Sequence, residues 1–265
     1  MELRTIAKDF PPEEDLIKTI EPIPYPLTAD DGANRFGPAV DQPSRKVQTV
    51  ELVVFLLLVL PALSTSFLID DQSGGGFILS AVYSILGDLG LLSLVFYFLW
   101  RNGEPLRRLG WTLGKLPKEI GWGLVLFLPV IYGANKLESA LHSLGLSAPS
   151  KVPSFLAAKG FAGIAVAVVM VVVVAVVEEI IYRGYLILRL KSVARRSWAA
   201  VLLSSAIFCL GHGYEGLAGV ISIYFLGVAL ALIYVWRGSL VAPMIIHFMI
   251  DFSSIVLAAM LGGRT

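Results

Sequence analysis

From residue 48 onward the chain is a succession of apolar stretches separated by short polar breaks. They run over 48–69, 77–99, 120–141, 161–190, 197–213, 215–236 and 240–261. A helix that crosses a bilayer needs about 20 mostly apolar residues, and these stretches approach or exceed that length. The third is the least regular, because Asn135, Lys136 and Glu138 interrupt its end. The fourth contains a run of valine and alanine from Val166 to Val177 that would favour a strand in water. In lipid, an isolated spanning segment closes its backbone hydrogen bonds only as a helix. The pattern therefore predicts an all-α fold, a polytopic transmembrane helical bundle of about seven spans over 48–265.

Residues 1–47 read differently. Seven of the fourteen prolines fall there, and no apolar core of a secretory signal is present. Prolines at this density oppose a helix and favour extended backbone. The expectation is a flexible cytosolic arm, with Glu21–Pro26 as its candidate docking segment. Gly74, Gly75 and Gly76 signal a short loop and lack the strand and helix context of a phosphate-binding loop. No internal repeat of the kind that marks many transporters is visible.

Composition supports the hydropathy reading. Apolar residues make up 56% of the chain and charged residues 15%. Soluble domains carry roughly 45–50% and about 25%, so a soluble enzyme is excluded as the default, and so is a disordered chain. Lys and Arg total 21 against 20 Asp and Glu, which leaves no footprint for nucleic acid. The single cysteine, Cys209, excludes an internal disulfide framework and a thiolate zinc site, and its apolar surroundings suit packing. Basic residues cluster in alternate loops: Arg45 and Lys46, then Arg101 to Lys118, then Arg189 to Arg196, then Arg237. The positive-inside rule puts these loops and the N-terminus in the cytosol, with Lys151 and Lys159 as mild exceptions.

The candidate chemistry lies in polar residues that a lipid interior penalises. Glu178 and Glu179 follow the aliphatic run, and Arg183 comes four residues after Glu179. The i, i+4 spacing puts Glu179 and Arg183 on one helix face as a pair. Glu178 projects about 100° away, has no arginine on its own helix, and is left available as a general base. Its own i+4 neighbour, Tyr182, is placed to donate a hydrogen bond to it. His212 closes the fifth stretch and His247 sits in the seventh with Asp251 at i+4, while His142 falls in a loop. Two histidines, a free glutamate and an aspartate from three helices suggest one polar cluster. They approach a common depth only if the fourth helix continues to about residue 190 with Arg183 neutralised by Glu179.

Glu178-Glu179-Ile-Ile-Tyr-Arg183 fits E-E-x-x-x-R, Phe208-Cys-Leu-Gly-His212 fits F-x-x-x-H, and His247-Phe-Met-Ile-Asp251 fits H-x-x-x-N/D. In this order the three motifs resemble the CAAX protease and bacteriocin-processing (CPBP) family of intramembrane endopeptidases, over roughly 140–265. Many members have Asn where this chain has Asp251. The resemblance implies a multi-pass protein of a cell membrane, bacterial by analogy, acting on a membrane peptide or protein. It implies catalytic roles for Glu178, Glu179, His212, His247 and Asp251, supported by Arg183, Tyr182 and Phe208.

Two mechanisms fit those residues. In one, no cofactor is required: Glu178 and His212 activate a water, and His247 with Asp251 stabilises the oxyanion. In the other, His212, His247 and Glu178 bind Zn²⁺ and leave a position open for water. The zincin signature H-E-x-x-H is not present. Two other function classes use the same residues: a non-catalytic bacteriocin self-immunity factor or scaffold, and a small transporter or proton relay. Filled catalytic positions favour the enzyme, and the missing repeat disfavours transport.

Overall fold

The computed structural model describes residues 43–68, 76–111, 113–146 and 153–262. The arm as far as residue 42, including 21–26, lies outside them, as do Asp70, Asp71, Gly74 and Gly75. All regular structure among the described residues is helical. The elements are α1 (Arg45–Ser64, extended by a 3-10 turn to Leu68), α2 (Phe77–Arg101), α3 (Leu116–Ser143), α4 (Gly160–Ala194), α5 (Ser197–Cys209), α6 (Gly216–Arg237) and α7 (Val241–Gly262). The valine-rich stretch is helical, as the lipid argument requires. α1 begins just after Ser44, whose hydroxyl accepts the Val47 N–H at 3.4 Å, an N-cap that places the start three residues before the expected one.

By length and apolarity six continuous helical stretches among the described residues can cross a membrane. One of them, Ser197–Arg237, holds two of the seven expected spans. α5 and α6 are joined by a 3-10 segment, Leu210–Glu215, and the chain leaves helical geometry at His212 (φ −111°, ψ 24°). There it turns back on itself: a Cβ added to Gly227 in α6 would stand 3.2 Å from Ser205 and from the Phe208 ring in α5. Only an antiparallel pair brings those positions together. Large apolar side chains such as Leu57, Leu79, Leu128 and Phe161 are exposed along these helices. A protein with such surfaces on helices of this length is an integral membrane protein.

One end of the bundle gathers the basic loops and neutralises them. Arg189, fully buried near the end of α4, pairs with Glu51 of α1 at 3.0 Å and with Glu104 after α2. Glu51 also accepts from Arg101 at 2.8 Å and Asn102 at 2.7 Å, and Glu104 pairs with Arg108. Arg237 grips Glu119 of α3 through two bonds of 3.1 and 2.7 Å, a fork on a carboxylate. The Arg45 guanidinium donates to the Val193 carbonyl at 2.5 Å. The four basic loops therefore share one face, and each buried carboxylate there has a cation.

The same end holds a tight backbone crossing. The Gly110 carbonyl accepts the Leu240 N–H at 3.1 Å, which fixes the start of α7. Gly110 has φ +83°, and a Cβ on it would lie 2.7 Å from the Tyr234 ring. Both the backbone conformation and the space demand glycine. Gly110→Ala is expected to lower stability by about 1–3 kcal/mol, read as an earlier thermal unfolding transition in detergent.

Candidate active site

The fourth helix carries the first part of the site. α4 runs unbroken from Gly160 to Ala194, so it reaches the length that a common depth required. Its stretch Glu179–Leu186 is π-helical, with i→i+5 bonding, and a second π segment, Phe252–Leu257, begins directly after Asp251. Such wide turns re-aim side chains and recur at functional sites.

Glu179 and Arg183 form the expected pair, with Oε1 2.9 Å from Nη1, and both side chains are buried. The Arg183 guanidinium also lies over the Phe208 ring, 4.3 Å from its centre. This cation–π contact accounts for the phenylalanine of the second motif. Tyr182 meets Phe208 edge-on at 5.1 Å, and its carbonyl accepts from the Ser204 hydroxyl at 2.6 Å. The expected hydrogen bond from Tyr182 to Glu178 does not form, because the ring is turned onto Phe208.

His247 lies between the two adjacent glutamates. Its Nδ1 stands 2.9 Å from Glu179 Oε1 and donates to it, since an ionised carboxylate only accepts. Its Nε2 faces Glu178 Oε2 at 3.7 Å and Asp251 Oδ2 at 3.4 Å, both longer than an ordinary N–H···O bond. One nitrogen is thus fixed and the other points into the pocket without a committed partner. The direct contact between Glu179 and His247 puts the two helices' polar residues at one level.

His212 is one ring further away. It occupies the turn between α5 and α6, with its ring centre 5.2 Å from Phe208 and 6.1 Å from Tyr214. Phe208 in turn stands edge-on to His247 at 6.0 Å. Phe208 therefore touches both imidazoles, and His212 interacts electrostatically with His247. His212 Nδ1 and Glu178 Oε2 are both buried and have no hydrogen-bond partner. Glu178 and Asp251 keep 19% and 21% of their side-chain surface exposed, so the pocket opens on their side.

Among the described residues no three His, Cys, Asp or Glu side chains are grouped as a metal ion would need. His212, His247 and Glu178 form no such group, and Glu179 holds His247 Nδ1.

Two contributions were missed in the sequence. Asp88, near the middle of α2, interacts with both Glu178 and His247, and its Oδ2 is buried without a partner. Its signal was available, because it is the lone carboxylate of an otherwise apolar span. Tyr214 and Glu215 interact with each other and with Asp251. Nothing in the spacing of the motifs points to that pair.

Residues 160–253, about a third of the chain, match the family model described as Type II CAAX prenyl endopeptidase Rce1-like. The match lies inside the 140–265 region of resemblance and contains all three motifs. The chain therefore carries a domain of the CAAX-protease type. No curated protein and no solved structure matches the chain.

Proposed function

We propose that this protein is an intramembrane endopeptidase that hydrolyses peptide bonds of membrane-associated peptides or proteins, with Glu178 as the base. The observation that carries this reading is the division of labour around His247. Glu179, neutralised by Arg183, holds one ring nitrogen and leaves the other facing Glu178.

Glu178 takes a proton from a water in the pocket, and the water oxygen attacks the substrate carbonyl carbon. The carbonyl electrons move onto oxygen, where the Nε2–H of His247, protonated on both ring nitrogens among Glu178, Glu179 and Asp251, meets the developing charge. Collapse breaks the C–N bond, and the proton held by Glu178 passes to the leaving amine. Glu179 is then a positioning residue, because it acts through His247. Asp251 orients the same ring from the Nε2 side. His212 Nδ1, buried and unpartnered, supplies a second polar contact for water or substrate from beside Phe208. A prenyl group on the substrate is no part of this reading. With the basic end in the cytosol, the N-terminus is cytosolic as well.

The test is cleavage of a membrane-peptide library by the purified protein in detergent, comparing wild type with Glu178→Ala, His212→Ala and His247→Ala. Cleavage that is lost in Glu178→Ala supports the reading, and cleavage indifferent to that change defeats it. A non-catalytic self-immunity factor or scaffold would cleave nothing. The ligand geometry adds a further expectation: activity survives complete removal of divalent metals by chelators. Loss on chelation with recovery on zinc addition would overturn the metal-free scheme.

A further inference from the structure

Asp88 is a half-buried polar group that the reaction above does not use. It lies on α2, outside the region of family resemblance, and α2 packs against α4. A carboxylate in the middle of a spanning helix is strongly disfavoured unless something engages it. Glu178, His247 and Tyr182 all interact with Asp88, which puts it beside the reacting pocket, and its Oδ2 has no hydrogen-bond partner.

The substrate brings the complementary problem. A peptide bond in a helix is enclosed by the helix's own hydrogen bonds, and attack on its carbonyl requires a locally extended backbone. Extension frees N–H groups, and an apolar surrounding offers them no water. The site then needs an acceptor in addition to the base and the oxyanion donor. Glu178 is occupied with water, Glu179 is wholly buried and meets Arg183 and His247 through Oε1, and Asp251 faces His247 Nε2.

We infer that Asp88 is a substrate-positioning residue, whose free carboxylate oxygen accepts a main-chain N–H of the peptide beside the scissile bond. The inference rests on the endopeptidase reading and adds α2 to the machinery that the motifs define. It predicts an effect on substrate binding with little effect on turnover. Removing Asp88 strands no buried partner, so the variants are expected to fold.

The experiment uses the full chain and the peptide cleaved best in the library. Asp88→Ala is expected to raise KM about tenfold or more, the worth of one hydrogen bond to a charged group, with kcat within about threefold. Asp88→Asn keeps a carbonyl acceptor in place and is expected to hold KM within about threefold of wild type. Each main-chain N–H flanking the bond is then replaced in turn by an ester oxygen. One position should raise the wild-type KM about tenfold and have no further effect on Asp88→Ala, the mark of a shared interaction. The same ester series, read as peptide binding to the Glu178→Gln protein, requires no turnover.

An unchanged KM in Asp88→Ala, a loss confined to kcat, or an ester series without a coupled position overturns the assignment. A preference for Lys or Arg beside the bond that vanishes in Asp88→Asn overturns it in favour of a cation site. A wild-type protein that cleaves nothing, or cleavage that survives Glu178→Gln, defeats the endopeptidase reading itself and is recognisable as such.

Discussion

Glu178→Gln is expected to reduce peptide cleavage by about 10²–10⁴-fold or more, the usual contribution of a positioned general base. The amide keeps the size of the side chain and removes the basic oxygen. Glu178 makes no ion pair closer than 3.7 Å and its Oε2 has no hydrogen-bond partner, so the substitution breaks no bond that holds the bundle together. The thermal unfolding transition in detergent should stay where it is, and KM should change little. The neighbouring variant Glu179→Gln gives the contrast. It removes the charge that Arg183 and His247 share and leaves a buried guanidinium unpaired, a change on the order of 3–5 kcal/mol. Cleavage and stability should then fall together. Equal behaviour of the two variants, in either assay, would contradict the assignment of base to one and support to the other.

Arg189→Ala is expected to be the most destabilising of the substitutions at the basic end. Arg189 is fully buried and joins Glu51 on α1 to Glu104 after α2. Its removal leaves two carboxylates, also buried, with less cation between them. Breaking such a cluster by deleting one partner costs about 3–5 kcal/mol, more than the pairing itself contributes. Unfolding by denaturant in micelles measures it. Arg101 and Arg108 remain in place, so Arg189→Ala combined with Glu104→Gln should recover part of the loss. A single variant as stable as wild type would show that these charges are solvated and that the loops are held by something else.

Both expectations involve residues whose legibility in the sequence was unequal. The spans were legible, because lipid admits only long apolar helices and hydropathy records them directly. The Glu179–Arg183 pair was legible because a helix fixes the i, i+4 relation without reference to the rest of the fold. The continuation of α4 followed from the need to bring Glu178 and His247 to one level. Partnerships between helices were not legible. Nothing in the spacing tells that Glu51 and Glu104 meet Arg189, that Glu119 meets Arg237, or that His247 Nδ1 meets Glu179. Those contacts depend on how helices rotate about their axes, which hydropathy does not encode. The position of His212 beside Phe208 was hidden for the same reason, since the motif gives their separation in sequence and not the turn between α5 and α6. Asp88 was visible as an anomaly, and only packing could tell which pocket it served.

The wide turn in α4 has a consequence for how that helix tolerates a change in length. A π-helical stretch holds one residue more than an α-helix would use to cover the same path. Deleting one residue between 180 and 186 would let the stretch close to ordinary winding, with Glu178 and Arg189 left in place at its two ends. What would turn is the segment between them, and Arg183 would lose its aim at Glu179 and Phe208. The surplus residue lets that one segment face the pocket while the anchor at Arg189 holds, so length variation in this stretch should be far less tolerated than substitution.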